Sequence, residues 1–554
     1  MADILGASST DSNKRPRFSK AAVAGIGPKL CERLRVETLH LCATSGCLLG
    51  ASGPFQHAPC SLLPYPFPAQ LFEQALTLAV PFNTLIDRVA RDIPWLTKVV
   101  RTTVAHDPFT RRLLEQLEKV EAEGVAQPLQ LSINRSDYMI DQPDQTKPPS
   151  RILQVELNTV SVSFVSLGAK MTDVHAHSMG RLACDADAAV KEQLVRGRPA
   201  FARLLEGARD GGATTIAKSL PQNHCTPNVA RSLALAHAEY LKRAPGGAAV
   251  AGAVAVVVMV VQPNERNVID QRGIEHALWD GHAVPLVRAT LRELSECATL
   301  GPQKQLVLAS SGLSGGVGID VAGEVASGGR RLEASVVYFR AGYTPDDYPG
   351  ESEWDARLLV ERSLSVKCPS LAQHLAGTKK VQQQLAAPGE LERFTRTAAE
   401  ASLLRGCFAR LYGLDDQEEG GAAAAAAVDA IVAEARGAPG GYVLKPQREG
   451  GGNNLYGAEL AEALGTMSRS ERASFILMER IRPPTCSMPL MREGELDGGE
   501  CTCELGVYGV MLSDGAEELV NECAGHLLRV KLDGVDEGGV CAGFAVLSSP
   551  LLHE

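Results

Sequence analysis

Residues 441–457 read GYVLKPQREGGGNNLYG, a short apolar run followed by a polar, glycine-rich segment. The apolar YVL predicts a short strand, which three consecutive glycines follow at 450–452. Glycine N–H groups can approach an anion closely because no side chain intervenes, although glycine runs are more often linkers. Lys445 adds a cation for phosphate oxygens and Glu449 a carboxylate for Mg²⁺, so the pattern favours a nucleotide-phosphate site. The chain contains no Gly-Lys dipeptide, which excludes a Walker A loop.

The composition indicates a large globular protein. At 554 residues, 45% apolar and 22% charged, the chain can bury a sizeable core and is expected to form two or three domains. A net charge of -10 disfavours a nucleic-acid-binding surface. The 14 cysteines lack paired zinc spacing and are interpreted as reduced thiols in a cytosol-like compartment. The apolar run at 248–261 is too short to span a bilayer and is interpreted as a loop entering a buried strand.

The start of the chain is polar and basic. It lacks the apolar core of a secretory signal, and Asp3 and Asp11 count against an organellar transit peptide. We therefore expect a disordered tail over residues 1–29 and a cytoplasmic protein, and organelle import through this tail stays open.

Periodicity divides the chain into helical and strand-rich parts. Apolar spacing of three and four predicts consecutive amphipathic helices at 68–125, and helices return at 175–243. LQLSINRSDYMI and RILQVELNTVSVSF predict an antiparallel strand pair. From VAVVVMVVQ onward, strands alternate with a helix (IEHALWDGH), which predicts an α/β sub-domain with parallel strands. The Gly-rich segment 310–331 is interpreted as a surface loop, and the alanine run near 421 as a helix.

A second group of polar residues lies on the predicted strands. In VELN, strand alternation directs Glu156 and Asn158 to one side, and oxygen donors at this spacing suit Mg²⁺; a solvated strand face is the alternative. Arg135 lies on the neighbouring strand, where a guanidinium can pair with a carboxylate. NERNVIDQR follows the buried strand directly, at the position where open α/β sheets tend to bind ligands.

Together these segments resemble one family, the eukaryotic type of glutathione synthetase, an ATP-grasp ligase. The motifs that carry the resemblance run in the family's order from about residue 30 to the C-terminus. They are NRSDYM, ELNTVSVSF, ERNVIDQR, VVYFRAGY, DARLLVERS, LAGTKKVQQ, KPQREGGGNNLYG, ILMERI, ELGVYG and GHLLRVK.

The resemblance implies an α/β (α+β) ATP-grasp fold with a glycine-rich lid. The expected catalytic domain comprises 30–255 and 379–554, with the lid around 430–500, and an inserted α/β substrate-binding sub-domain occupies 256–378. The implied reaction joins γ-glutamylcysteine to glycine, consumes ATP and proceeds through an acyl phosphate. The family is homodimeric, and the implied cofactor is Mg²⁺, as two ions. No nucleic acid or membrane partner is implied.

The resemblance also assigns site residues, carried over by motif. Expected catalytic residues are Arg135, Lys379, Glu449 and Arg529. Expected Mg²⁺ ligands are Glu156, Asn158 and Glu449. Expected nucleotide-site residues are Glu156, Lys379, Lys445, Pro446, Gln447, Arg448, Glu449, Gly450, Gly451, Gly452, Asn453, Asn454, Tyr456, Met478, Glu479, Arg480, Ile481, Glu504, Lys531 and Glu537. Expected peptide- and glycine-binding residues are Arg135, Val160, Ser161, Val162, Ser163, Glu265, Asn267, Gln271, Arg340, Tyr343, Arg529, Val540 and Cys541.

Three positions depart from the family pattern: Ala341 and Glu537 stand where Asp is common, and Cys541 where Ala is common. The insertions near 207–225 and 310–330 have no counterpart that we recognise. Two alternatives stay open. One is a homoglutathione-type enzyme that uses β-alanine or serine, and the other is a non-catalytic nucleotide-binding homologue. We expect glycine as the acceptor, because Cys541 and Ala542 are small.

Overall fold

The computed structural model describes residues 26–51, 53–185, 187–196, 198–211, 219–244, 250–313, 331–415, 421–447 and 453–554. Its helices are α1 (Pro28–Ser45), α2 (Ala69–Thr77), α3 (Ala79–Arg91), α4 (Ile93–Arg101), α5 (Pro108–Glu123), α6 (Val165–Ala183), α7 (Ala188–Val195), α8 (Pro199–Gly211), α9 (Cys225–Arg243), α10 (Val268–His282), α11 (Leu291–Cys297), α12 (Glu351–Arg362), α13 (Leu371–Ala376), α14 (Lys379–Ala386), α15 (Ala398–Arg405), α16 (Gly421–Gly437), α17 (Gly457–Thr466) and α18 (Arg469–Arg472). Its strands are β1 (Leu48–Leu49), β2 (Gln56–His57), β3 (Cys60–Ser61), β4 (Tyr65–Pro68), β5 (Leu129–Asp141), β6 (Arg151–Asn158), β7 (Ala253–Val260), β8 (Leu286–Ala289), β9 (Ala298–Leu300), β10 (Leu306–Ala309), β11 (Arg331–Phe339), β12 (Val366–Cys368), β13 (Leu411–Gly413), β14 (Tyr442–Pro446), β15 (Leu455–Tyr456), β16 (Phe475–Glu479), β17 (Cys486–Arg492), β18 (Glu495–Asp514), β19 (Glu517–Leu532), β20 (Val546–Ser548) and β21 (Pro550–His553).

The predicted run of amphipathic helices is confirmed by α2 to α5. In α3, Phe82, Leu85, Ile86 and Val89 recur at helical spacing and are buried. In α5 the start is fixed by Asp107, whose carboxylate accepts hydrogen bonds from the first-turn N–H groups at 3.1 and 3.2 Å. The predicted alanine-rich helix is also confirmed, as α16. None of the described helices is both long and apolar enough to cross a membrane.

A sheet of 13 strands forms the centre of the molecule. Its main order is β17-β3-β20-β19-β18-β5-β12-β11-β10-β9, with β6 beside β5 and β7 between β11 and β8. The predicted antiparallel pair is confirmed by β5 and β6, in which Arg135 lies opposite Asn158. The long antiparallel neighbours β18 and β19 bring the C-terminal part of the chain alongside β5. In this arrangement β18 lies between β5 and β19.

The predicted parallel α/β arrangement is confirmed for part of the segment that follows β7. There β7 runs parallel to β8 and to β11, and β11 runs parallel to β12, whereas β10 runs antiparallel to β9 and β11. A bridge between Lys367 and Gln130 joins β12 to β5, so these strands continue the large sheet. The division into a catalytic domain and a sub-domain stays a prediction.

A second, antiparallel sheet has the order β13-β16-β14-β15. It packs against α16 and α17 around its own apolar cluster, which includes Val432, Leu444, Leu460 and Leu477. This small sheet lies within the part of the chain where the lid is predicted, whereas β17 and β18 belong to the large sheet. Residues 448–452 connect β14 towards β15 and lie outside the described residues.

Three other predicted segments are described only in part. Residues 1–25 of the expected tail lie outside the described residues, and α1 already begins at Pro28, inside the segment predicted as a tail. A proline at the first helical position explains this start, because its fixed φ suits a helix and no N–H is lost there. Residues 212–218 and 314–330, within the two predicted insertions, also lie outside the described residues.

Candidate active site

A cavity of about 840 Å³ opens between the large sheet and the small sheet. Strands β5, β6, β18 and β19 supply one wall, β14 and β16 supply another, and loops that follow β7, β11 and β19 close the remaining sides. Predicted site residues that line it are Arg135, Glu156, Asn158, Val160, Ser161, Val162, Ser163, Glu265, Asn267, Arg340, Tyr343, Lys379, Lys445, Asn454, Tyr456, Met478, Glu479, Arg480, Ile481, Glu504, Arg529, Lys531, Glu537, Val540 and Cys541.

Two lysines and a carboxylate meet at one place in the cavity. Lys379, the first residue of α14, places its Nζ 2.9 Å from Oε2 of Glu156 on β6. Asn158 donates its Nδ2–H to Oε1 of the same glutamate at 3.2 Å, which confirms that strand alternation brings the two side chains to one face. Lys445 on β14 donates to the carbonyl oxygen of Val155 at 2.9 Å. Three elements far apart in sequence thus supply neighbouring cations and oxygen donors.

Burial and charge act in opposite directions on these groups. Burial alone would raise the pKa of the Glu156 carboxyl, but the ammonium groups of Lys379 and Lys445 outweigh it and hold the pKa well below its ordinary value. Burial lowers the pKa of Lys445 to about 8, although Glu156 favours the charged form. Glu156 is therefore an anion at neutral pH, whereas Lys445 loses its proton at a pH only slightly above neutral.

Two arginines, one on β5 and one on β19, bind the same carboxylate across the intervening strand β18. Arg135 forms a two-pronged pair with Asp137, at 2.6 Å (Nε to Oδ1) and 2.8 Å (Nη2 to Oδ2). Arg529 donates its Nη2–H to Oδ2 of Asp137 at 3.0 Å and also to the carboxylate of Glu504. Burial opposes the charge on both guanidinium groups, yet the nearby carboxylates raise the pKa of each above its ordinary value. Both arginines are consequently charged and available to anionic ligands.

A third arginine lies at the end of β11. Arg340 donates Nη2–H to Oδ2 of Asp270 at 3.2 Å, while its Nε and Nη1 are buried without a partner among the described residues. Asp270 also accepts from the N–H groups of Phe164 and Ser166 at 2.9 and 2.7 Å, so it fixes the start of α6. Ser161 lies in the loop just before, with a φ of 54°, and donates to Phe339 O at 3.3 Å. Arg340 lines the cavity together with Ser161 and Ser163, and a charged guanidinium beside hydroxyl groups suits a carboxylate ligand.

Apolar and aromatic side chains line the wall formed by β14, β15 and β16. Met478 and Ile481 are buried there, and Tyr456 donates weakly to the carbonyl oxygen of Asp536 at 3.4 Å. Lys531 donates to the same carbonyl at 2.7 Å, and Arg480 pairs with the Asp536 carboxylate at 2.6 Å. Buried apolar side chains with polar groups beside them suit a purine ring.

The loop after β19 lies directly over Arg529. A Cβ added at Gly538 would lie 3.2 Å from Oε2 of Glu504 and 3.9 Å from Cζ of Arg529, and one at Gly539 would lie 3.2 Å from the Cβ of Ala542. Cys541 lines the cavity close by and is an exposed residue. Its side chain contributes volume to this end of the cavity.

Family membership follows from a comparison with known proteins. Residues 36–552 match the family model described as "Eukaryotic glutathione synthase, ATP binding domain". The chain belongs to this family.

Individual family members align over most of the chain. The chloroplastic glutathione synthetase of Solanum lycopersicum is 37% identical over 95% of this chain and 85% of its own length. The glutathione synthetase of Dictyostelium discoideum is 36% identical over 90% and 92%, and that of Homo sapiens 37% identical over 89% and 90%. A solved structure, the apo form of a glutathione synthetase-like effector from Globodera pallida, matches with a TM-score of 0.65 at 19% identity and covers 95% of this chain and 98% of that one. This likeness supports the predicted α/β (α+β) ATP-grasp fold.

Some residues that the family resemblance assigns to the site have other positions in the described structure. Gln271, Pro446, Gln447 and Asn453 are described but are not among the residues that line the cavity. Gln271 is buried beneath Glu265, to which it donates at 3.0 Å, so it supports the site from behind. Gln447 accepts from the N–H of Lys380 at 2.8 Å. Arg448, Glu449, Gly450, Gly451 and Gly452 lie outside the described residues.

Sequence reasoning missed several cavity residues. Arg266 adjoins the predicted Glu265, and Asp536 adjoins Glu537, so extending each motif by one position would have found both. Asp137, which does not line the cavity but binds residues that do, was detectable from strand alternation, because it lies two positions after Arg135 on β5. Arg482 and Thr502 also line the cavity, and we find no local pattern that marks either of them.

The predicted Mg²⁺ ligands are described only in part. In the described portion of the chain, no group of three or more His, Cys, Asp or Glu side chains could hold a metal ion. Glu156 and Asn158 do lie together, and Glu449 is outside the described residues. An ionised carboxylate and an amide oxygen are hard donors that suit Mg²⁺, which usually takes few protein ligands and keeps water and phosphate oxygens as the rest. The residues present therefore fit the ion.

Proposed function

We propose that this protein is a glutathione synthetase that joins γ-L-glutamyl-L-cysteine to glycine and converts ATP to ADP and phosphate. The observation that carries the proposal is the pairing, within one cavity, of a phosphate-binding end with a carboxylate-binding end. Lys379, Lys445 and Glu156 form the first, and Arg135, Arg340 and Arg529 belong to the second. Membership of the eukaryotic glutathione synthase family supports the same reaction.

In the first step, an oxygen of the cysteinyl carboxylate attacks the γ-phosphorus of ATP. A new P–O bond forms, the bond to the β-phosphate oxygen breaks, and ADP leaves. Negative charge spreads over the phosphoryl oxygens during this transfer, and the ammonium groups of Lys379 and Lys445 are placed to stabilise it. No protein nucleophile is needed, because the substrate carboxylate is itself the attacking group.

Glu156 and Asn158 would hold Mg²⁺, together with Glu449, whose position in the sequence supports the same role. When bound, the ion neutralises phosphate charge and orients the transferred group. The number of ions, proposed as two, rests on the family resemblance.

In the second step, the amine of glycine attacks the carbonyl carbon of the acyl phosphate. The new C–N bond forms, the C–O bond to phosphate breaks, and the amine proton leaves to solvent or to phosphate. Arg529 is proposed to clamp the glycine carboxylate, since it lies beneath Gly538 of the loop after β19. Catalysis in both steps is then positioning and charge neutralisation.

The test is product formation by the purified full-length chain. With ATP, Mg²⁺, γ-glutamylcysteine and glycine, we expect glutathione by mass spectrometry, and ADP and phosphate in equal amounts to it. Omission of either substrate should abolish ADP release above background. ATP hydrolysis that does not depend on γ-glutamylcysteine would refute the proposal, and the absence of turnover in the complete mixture would refute it and favour a non-catalytic homologue.

Assembly and location are separate parts of the proposal. A homodimer rests on the family resemblance, and light scattering coupled to size exclusion tests it. A cytoplasmic location rests on the composition, whereas relatives from Solanum lycopersicum and Arabidopsis thaliana are named chloroplastic. Fluorescent fusions of the full chain, and of residues 1–29 alone, distinguish cytoplasm from an organelle.

A further inference from the structure

Asp137 receives hydrogen bonds from three strands of the large sheet. Its Oδ1 accepts from Arg135 Nε at 2.6 Å, and its Oδ2 accepts from Arg135 Nη2 at 2.8 Å. The same Oδ2 accepts from Asn158 Nδ2 on β6 and from Arg529 Nη2 on β19, each at 3.0 Å. One carboxylate thus joins a proposed peptide-binding residue, a proposed Mg²⁺ ligand and the proposed glycine clamp.

The carboxylate itself is remote from the ligands. Asp137 is 0% exposed and, among the described residues, is not one that lines the cavity, whereas all three of its partners line it. It cannot contact a substrate without displacing them. Its influence on the reaction therefore acts through the positions and charges of Arg135, Asn158 and Arg529.

The neighbouring strand leaves space for this arrangement. Gly506 on β18 pairs with Asp137 in the sheet and separates β5 from β19. A Cβ added at Gly506 would lie 2.7 Å from Asp137 Oδ1 and 2.8 Å from Arg135 Cδ, which is closer than real Cβ contacts allow. Because this backbone is not in the left-handed region, glycine is required here for space rather than for conformation. The Asp137 side chain on β5 thus passes over Gly506 to reach Arg529.

We propose that Asp137 is a positioning residue that holds Arg135, Asn158 and Arg529 in one arrangement, and that Gly506 provides the space in which it does so. This inference rests on the proposed ligase function. Without the carboxylate, two buried guanidinium groups lose their shared counter-charge and repel each other. The proposed peptide-binding and glycine-binding side chains then lose their positions together.

Asp137→Asn is the direct test, because it keeps the shape and removes the charge. We expect kcat/KM for glycine and for γ-glutamylcysteine to fall about 10- to 100-fold, as for other residues that orient ligand-binding groups. The KM for ATP should change by a smaller factor, because Asn158 is the one partner at the proposed phosphate end and it keeps its contact with Glu156. Glu333→Gln is the matched control. Glu333 is also 0% exposed, and it accepts from the hydroxyl of Tyr240 at 2.6 Å, away from the cavity. Glu333→Gln should lower the stability of the fold without a selective change in the constants for glycine and γ-glutamylcysteine.

A double-mutant cycle separates positioning from general destabilisation. If Asp137 acts in part through Arg529, its effect on glycine kcat/KM should be at least about fivefold smaller in an Arg529→Ala background. The effect of Glu333→Gln should be the same in both backgrounds, within about twofold. Equal effects of Asp137→Asn in both backgrounds would overturn the inference.

Gly506→Ala provides a second route if Asp137→Asn does not accumulate as folded protein. It keeps every charge but displaces the Arg135–Asp137 pair, so it should raise the KM for glycine and for γ-glutamylcysteine more than the KM for ATP. Wild-type kinetics in Gly506→Ala would also overturn the inference. Failure of the parent protein to make glutathione would instead refute the proposed function, so the two failures are distinguishable.

Discussion

Lys379 and Glu156 form an ion pair of 2.9 Å across the boundary between α14 and β6, with the lysine almost fully buried. The pair places a cation and an anion where the γ-phosphate and Mg²⁺ are proposed to bind. Lys379 is the largest positive charge that acts on Glu156, so we expect nucleotide and Mg²⁺ binding to exchange this contact for new ones.

Glu156→Gln should therefore lower kcat at least about 100-fold at saturating ATP, because a neutral amide is a poorer Mg²⁺ ligand where charge develops. Steady-state rates at 1 to 50 times the ordinary Mg²⁺ concentration provide the measurement. Glu239→Gln, on the exposed end of α9 where Glu239 pairs with Lys242, is the control. Recovery of full activity at high Mg²⁺ would leave Glu156 a role in affinity only.

The pH dependence of ATP use should report Lys445. Burial lowers its pKa to about 8, so the side chain is a cation below pH 8 and becomes neutral as the pH rises through that value. Because phosphate binding needs the cation, kcat/KM for ATP should decline above pH 8, approaching about tenfold per pH unit. Arginine stays charged throughout this pH range, so Lys445→Arg should shift the decline in kcat/KM for ATP to higher pH. An unchanged midpoint in this variant would assign the titration to another group.

Arg529→Ala should raise the KM for glycine about 100-fold or more and change the KM for ATP little, since a charge-assisted clamp on the acceptor carboxylate is lost. Arg529→Lys should recover only part of this, because a lysine cannot satisfy Asp137 and a ligand in the same geometry. Initial rates with each substrate varied in turn measure both constants. The reverse pattern, with ATP affected most, would place Arg529 in the nucleotide site.

Glycine should be preferred over β-alanine and serine. Gly538 lies over Arg529, where an added Cβ would come 3.9 Å from Cζ, and Cys541 lines the same part of the cavity, so we expect a compact acceptor site. One additional methylene typically changes discrimination by about 1 to 3 kcal/mol, so some β-alanine turnover is expected. Cys541→Ala should weaken the preference by enlarging the same end of the cavity. Comparison of kcat/KM for the three acceptors decides the matter, and an efficiency with β-alanine equal to or above that with glycine would favour the homoglutathione-type alternative.

Features that depend on local sequence were predictable. The common face of Glu156 and Asn158 follows from strand alternation, and the helices from α2 to α5 follow from apolar spacing. The family resemblance then assigned most of the residues that line the cavity, including Lys379, which no local pattern connects to Glu156. In this case the order of the motifs along the chain indicated which distant segments meet. Hydrophobic periodicity cannot give this information.

Features that depend on long-range packing were not predictable. Asp137 and Arg529 are 392 positions apart, and their contact requires β18 to lie between β5 and β19 in one register. The need for glycine at 506 is steric and becomes visible only when side chains from β5 cross over it. Gln271 likewise contacts Arg288 and Glu265, at 2.7 and 3.0 Å, which its motif does not reveal, and its assignment to the peptide substrate stays a prediction.

The loop over Arg529 leaves the large sheet after β19 and returns to it at β20, and these two strands pair with each other. Its ends are therefore anchored by main-chain hydrogen bonds that do not depend on the loop's own sequence. Arg529 stays in the strand whichever residues lie above it. Grafting only residues 538–543 from a related ligase should therefore exchange one amino-acid acceptor for another, while Asp536, nearer β19, keeps its contacts with Tyr456, Lys531 and Arg480 at the nucleotide wall.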